Sequence, residues 1–176
     1  MKLENVAQVR SGLVLARKQA RSRTEYRYPL LNLKCIHPSG YSDTSLCEVF
    51  DSVEYLNPEY ITHKGDIVIR LTIPYTAVLI TDELEGFVIP SSFVVVRTDR
   101  SVLIPEYLVW LLNSQKVKKR IYESTVSNML GAVKLRYFAE FELDELHISQ
   151  QLMMADLNRL AQRETQLLAL LAAEKE

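Results

Sequence analysis

Arg17, Lys18, Arg21, Arg23 and Arg27 crowd one short segment, with Gln19, Tyr26 and Tyr28 among them. Cations at this density can neutralise phosphates, an attraction that ignores base sequence and weakens with salt. An arginine can also offer two N–H donors to guanine O6 and N7, while a carboxamide such as Gln19 suits adenine. A second group repeats the chemistry downstream: Lys116, Lys118, Lys119, Arg120 and Lys134, with Asn128 as its carboxamide. These twelve residues are the candidate nucleic-acid contacts. Their types do not say which would read bases and which would hold phosphates.

The net charge of the 176-residue chain is −1, which excludes a uniformly basic polyanion binder. Its distribution is uneven. Residues 1–36 hold eight Lys or Arg against two Glu, and residues 116–136 hold six against one, leaving −12 on the remainder. Segregation of this kind is the pattern of a one-sided binding surface.

Catalytic patterns are scarce. There is no G-x-x-x-x-G-K phosphate loop, no G-x-G-x-x-G and no G-x-S-x-G elbow. His37, His63 and His147 share no local motif with the cysteines or carboxylates. Asp82, Glu83 and Glu85 form an acidic cluster that a divalent ion would suit, though acidic loops between strands are common. Cys35 and Cys47 with His37 fall short of the four ligands of a structural zinc site, so they read as free thiols. No catalytic residue, metal or cofactor is expected.

The elements that must position these groups follow from pattern. "ENVAQVRSG" reads as a short strand ended by Gly12, and "YPLLNLKCI" as a strand entered through Pro29. In "KGDIVIR", Gly65 suits a turn with positive φ, and Asp66 can bond back onto that turn. Ile67 and Ile69 then point one way and Val68 and Arg70 the other, a half-buried strand. "TAVLITD" pairs with it, and "GFVIPSSFVVVRTD" supplies one or two more strands. Pro105 opens a helix carrying Leu108, Leu111 and Leu112, and Ser114 caps a second on which Val117 and Ile121 face inward. "STVSNMLGAVKLRYF" reads as a loop, and "FELDELHI" as a final short strand or connector.

The tail is of another kind. "ISQQLMMADLNRLAQRETQLLALLAAEKE" has no Gly or Pro and is rich in helix formers. Ser149 is the expected N-cap, with Ile148 and Met153 as a hydrophobic staple. Met153, Leu157, Leu160, Glu164, Leu167 and Leu171 recur at alternating steps of four and three, the seam of a coiled coil. A helix from Gln150 to Glu174 is about 37 Å long at 1.5 Å per residue, so its end should project. Leu152, Leu168 and Leu170 widen the apolar face, which also suits a helix folded back on its own domain.

The order "VAQVRSG", "YPLLNLKCI", "YITHKGDIVIR", "FVIPSSFVVVRTD", "IPEYLVWLLNSQKVKKRI", "LGAVKL" and the long final helix resembles one half of the specificity subunit of type I restriction–modification systems. The resemblance runs over nearly the whole chain. It implies an α+β fold: a mixed twisted β-sheet target-recognition domain with short helices over residues 1–147, then a long helix over 148–176 forming a coiled coil. It also implies a non-catalytic subunit that binds double-stranded DNA, reads half of a split target, and directs methyltransferase and restriction subunits to it. A full specificity subunit carries two recognition domains and two helical spacers, whereas this chain carries one of each, so the resemblance implies a homodimer formed through the seam. The family's proline-rich strand and Glu-Gln pair before the helix are replaced here by "DELHISQQ".

Two other classes remain in view: an adaptor that docks on a partner through its final helix, and a metal-dependent hydrolase or nuclease using Asp82, Glu83 or Glu85. No apolar run is long enough to span a bilayer, and "MKLENVAQVR" lacks the apolar core of a secretory signal, so a cytoplasmic location is expected.

Overall fold

The computed structural model describes residues 1–127, 129 and 131–175. Six strands come before four helices: β1 Ala7–Ser11, β2 Arg27–Leu30, β3 Glu48–Asp51, β4 Ile67–Arg70, β5 Ala77–Leu79 and β6 Phe93–Thr98, then α1 Pro105–Asn113, α2 Gln115–Thr125, α3 Leu135–Ala139 and α4 Ile148–Glu174. The main sheet has the order β1-β6-β4-β5, and β2 pairs with β3 as a separate ribbon.

Every ladder is antiparallel, which corrects the expected mixed sheet. Among the described residues, parallel pairing is confined to the isolated bridges Leu13–Pro90 and Leu30–Val88. The reason lies in the element order. Parallel neighbours need a crossover, usually a helix, between them. Here all the α-helices follow the last strand.

The β-branched run Val94–Val96 makes β6 a central strand, flanked by β1 and β4. Alternation splits the sheet into two covered faces. Ile67, Ile69, Val94 and Val96 meet Leu108 and Leu112 of α1 and Val117 and Ile121 of α2. Val68, Val78, Phe93 and Val95 meet Leu31, Cys35 and Ile36 on the other side. β4 is therefore buried on both faces, not half-buried as its alternation suggested. A third, smaller cluster of Leu13, Leu30, Phe50, Leu56 and Val88 lies under the ribbon.

The turn before β4 forms as its sequence indicates. Gly65 has φ +90°, and the buried Asp66 carboxylate accepts the His63 N–H at 2.9 Å. The same carboxylate takes Arg97 through two contacts, Nε at 3.0 Å and Nη2 at 3.1 Å. Arg97 also donates to the Ile61 carbonyl at 2.9 Å, so this charge pair braces the turn against β6.

Pro105 opens α1, and the Ser114 hydroxyl caps α2 by accepting the Val117 N–H. Leu135–Ala139 is not loop but the short helix α3, which seats Phe138 fully buried in the core. "FELDELHI" forms a connector that pairs back onto the chain start, with Lys2 bridging Glu142. The segment before α4 brings His147, not Ser149, to the N-cap. Its imidazole Nδ1 accepts the Ser149 N–H, and Gln150 reaches back to the His147 N–H at 3.1 Å. Ile148 thus falls inside the helix and Met153 points to solvent, so the expected staple does not form.

Candidate nucleic-acid interface

The ribbon and the segment before it build the first basic surface. Lys18 through Ala20 runs beside the end of β3: the Lys18 carbonyl accepts the Val53 N–H, Ala20 donates to the Asp51 carbonyl, and Gln19 bridges Ser52. On the return, the Tyr26 carbonyl accepts the Ser52 N–H, and Thr24 is tied to Asp51 and Ser52. Residues 21–23 are the free tip of this fold-over, and Arg21 and Arg23 are exposed there.

The five cations of the segment are not equivalent. Lys18 pairs with Glu54, and Arg27 pairs with Asp51 at 3.3 Å. Arg17, Arg21 and Arg23 are exposed and make no ion pair with any described residue. Tyr28 has a structural role, its hydroxyl accepting the Leu56 N–H at 3.2 Å. Arg21 and Arg23 share with Gln19, Val49 and Asp51 the walls of a small cleft of about 200 Å³.

Beyond the cations, sequence reasoning missed the apolar residues beside them. Val49 on β3, and Val53 and Tyr55 just after it, are all more than half exposed. Val49 lines the same cleft as Arg21 and Arg23, so an apolar side chain stands beside exposed cations there. No local signal could have found Val49, because Val49 and Phe50 are adjacent apolar residues and only the pairing with β2 decides which of them turns inward.

The second basic group sits on different elements. α2 seats Val117 and Ile121 in the core and turns Lys116, Lys119 and Arg120 to solvent. Lys118 is half-buried, and burial holds its amine below the usual lysine range. Lys119 lies 4.0 Å from Glu123. Lys134 is exposed just before α3, on a cleft shared with Ser124, Arg136 and Tyr137. Asn128 lies outside the described residues. The other eleven expected DNA-contacting residues divide between the ribbon with the segment before it and α2–α3, two patches set on separate apolar clusters.

The acidic cluster and the cysteines have local partners. Asp82 pairs with Lys64 at 3.0 Å, and Glu85 accepts the Lys64 N–H. Cys35 is buried and unpaired as a disulfide. Burial, then the Cys35 thiol, then the Asp43 charge push the Cys47 thiol up to about 12, far from a reactive thiolate at neutral pH. Among the described residues no three His, Cys, Asp or Glu side chains gather where they would hold a metal, and no helix is long and apolar enough to cross a membrane.

α4 is joined to the domain by Gln151 and by Ile148, Met154 and Ala155, which pack against the core. Gln151 is 4% exposed. Its carbonyl accepts the Ile104 N–H at 2.9 Å, and its amide donates to the Val102 and Leu146 carbonyls at 3.0 Å each. Ala155 is buried beside it, and Asn158, Gln162 and Gln166 continue the half-buried stripe. Each of the seam residues Met153, Leu157, Leu160, Glu164, Leu167 and Leu171 is exposed. They begin two positions after the docked stripe, roughly 200° round the helix at 100° per residue, so the seam faces away from the domain. From Leu167 onward every described residue is exposed, and the helix end projects as its length suggested.

No protein-family model matches the sequence, and no curated protein does. Solved structures do match. A chain from a type I R-M system, described for its complex assembly and conformational transition, superposes over 99% of this chain with a TM-score of 0.65 at 17% identity. The HsdS subunit from Thermoanaerobacter tengcongensis matches 98% of it with a TM-score of 0.66, also at 17% identity. The type I restriction–modification S subunit from M. genitalium matches 98% with a TM-score of 0.55 at 12% identity. The chain spans 44%, 44% and 42% of their lengths, so its fold is that of somewhat less than half of a type I specificity subunit.

Proposed function

We propose that this chain is a half-length specificity subunit that binds double-stranded DNA without catalysis and recognises one half of a split target. The observation that carries the reading is the end-to-end structural match, which includes the long helix as well as the domain. Residues 1–147 form the recognition domain in this reading, and the helix over 148–176 sets the distance to a second one. Methyltransferase and restriction subunits would be recruited to the assembled pair.

The second recognition domain comes from a second copy, through the outward seam of α4. Two helices running antiparallel place Met153 against Leu171, Leu157 against Leu167, and Leu160 against Glu164, which engages all six seam residues at once. A parallel pair in register would set Glu164 against Glu164, a like-charge contact in an apolar seam. Moving the antiparallel register by one heptad leaves two seam residues of each chain without a partner.

Two readouts on the full chain test the reading: solution mass by light scattering, and affinity for a mixed-sequence DNA duplex as salt is raised. A dimer whose DNA affinity falls steeply with salt is the expected result. A monomer with no salt-dependent affinity would replace this reading with the adaptor, in which the exposed seam docks on an unrelated protein.

A further inference from the structure

Resting on the DNA-binding reading, we infer that the β2–β3 ribbon is the element that enters the major groove, with Gln19 and Val49 contacting base edges and Arg21 and Arg23 gripping the flanking phosphates. The juxtaposition is in the cleft itself: the carboxamide, the exposed valine and the two free arginines line one small concavity at the ribbon's end. Two paired strands lie about 4.8 Å apart, and a two-stranded ribbon is narrow enough for a major groove about 12 Å wide.

Register decides which ribbon side chains look outward. Pro29 pairs with Val49 and Arg27 with Asp51. These four alternate with Tyr28, Leu30 and Phe50, which turn toward the apolar cluster beneath. The outward face therefore offers a valine for the thymine methyl and, beside it, a Gln19 amide that makes no hydrogen bond to any described residue. That amide carries the donor and acceptor that adenine N6 and N7 require. Asp51 is unsuited to reading, because its carboxylate is taken by Thr24 and Arg27. Arg21 and Arg23, long side chains on an exposed tip, are placed for the sugar-phosphate walls on either side.

This separates two roles that net charge merges. Contacts to phosphate position a protein and carry no sequence information directly, whereas contacts to base edges specify. On this assignment the α2 cations Lys116, Lys119 and Arg120 belong to the first class only.

The test is selection by the full chain from a 30-bp duplex pool with a randomised centre, followed by affinity measurements over a salt series. Gln19→Ala and Val49→Ala, both at exposed positions, should relax or alter the base preference with the salt slope unchanged; Val49→Thr serves as the milder variant. Arg21→Ala with Arg23→Ala should weaken binding on the order of tenfold and lower the slope of log affinity against log salt by about 2, near 0.9 for each phosphate no longer neutralised. Lys116, Lys119 and Arg120 replaced together by alanine should leave base preference as it was. The assignment is overturned if the Gln19 and Val49 variants select the same sequences as the unaltered chain, or if the α2 variant changes the preference. An unaltered chain that binds no duplex at low salt would overturn the DNA-binding reading beneath it, a different result from binding that ignores the ribbon.

Discussion

The two long faces of α4 invert the usual arrangement of a surface helix. The face against the domain carries Gln151, Ala155, Asn158, Gln162 and Gln166, with Ile148 and Met154 partly buried at its start, while the face toward solvent carries five of the helix's large apolar residues in a regular seam. Apolar burial normally decides which way an amphipathic helix lies. Here the seat is set by something else: a buried carboxamide bonded to three backbone groups and a small alanine that allows close approach. Directional contacts, with Ile148, Met154 and Ala155 packed beside them, hold the helix on the domain, and the larger apolar face stays exposed. In the proposed reading, a helix that sets the spacing between recognition domains needs both properties, one on each face.

Changes to the two faces should therefore fail in different ways. The largest expected effect is on the seam. Leu160→Glu with Leu167→Glu places four charges in the proposed dimer interface and should weaken association by on the order of a hundredfold or more, some 3 kcal/mol at least. Since both leucines are exposed in the single chain, 58% and 44%, the urea midpoint of the monomer should barely move. Register is accessible in the same experiment through mixed oxidation. Leu157→Cys and Leu167→Cys chains should cross-link to each other when combined, and neither should cross-link to itself. Self-cross-linking of the Leu157→Cys chain alone would mean the helices run parallel.

The docked face should show the reverse. Gln151→Ala leaves the Ile104 N–H and the Val102 and Leu146 carbonyls without their partner at a buried site, a loss of about 3 kcal/mol. For a chain of this length that corresponds to a fall in Tm of roughly 6–12 °C. Gln151→Met keeps most of the volume and none of the hydrogen bonds, so it should recover little. If either variant unfolds within about 0.5 kcal/mol of the parent, packing and not the carboxamide seats the helix.

The sequence made the outward face of α4 legible and the inward face illegible, and the reason is physical. The seam is a local period, visible in any window of the tail. The seat depends on Ile104 and Val102, far away in the chain, and glutamines facing a domain look like glutamines facing water. The same limit applies elsewhere. Pro105, Ser114, Gly65 and Asp66 act within a few residues of themselves, and each does what its type suggests. β3 was not foreseen because four residues with one inward apolar side chain carry almost no periodic signal, and its pairing with β2 is non-local. In the candidate interface the cations themselves were legible. Which of them are free was not, since Glu54 and Asp51 approach from another segment to neutralise Lys18 and Arg27.

The smallest effect expected concerns how far along α4 the docked face extends. Gly40, in the loop between β2 and β3, has φ +89°, and a Cβ there would lie 3.4 Å from both Asn113 Nδ2 and Gln162 Nε2. Gly40→Ala should cost about 1 kcal/mol, because an L-residue is strained at that φ whatever the space around it. Any excess comes from the two amides, and they differ in freedom. Asn113 is fixed by exchanging two hydrogen bonds with Ala77, so it cannot move aside. Gln162 has no such tie among the described residues, and its displacement would loosen the helix from the loop. A double-mutant cycle with Gln162→Ala separates the two by denaturation in urea. If the helix is held against the loop as far as Gln162, Gly40→Ala should cost a few tenths of a kcal/mol less once that side chain is gone. Equal costs in both backgrounds would place the end of the docked face nearer Asn158, leaving a longer free stretch of seam for the second helix.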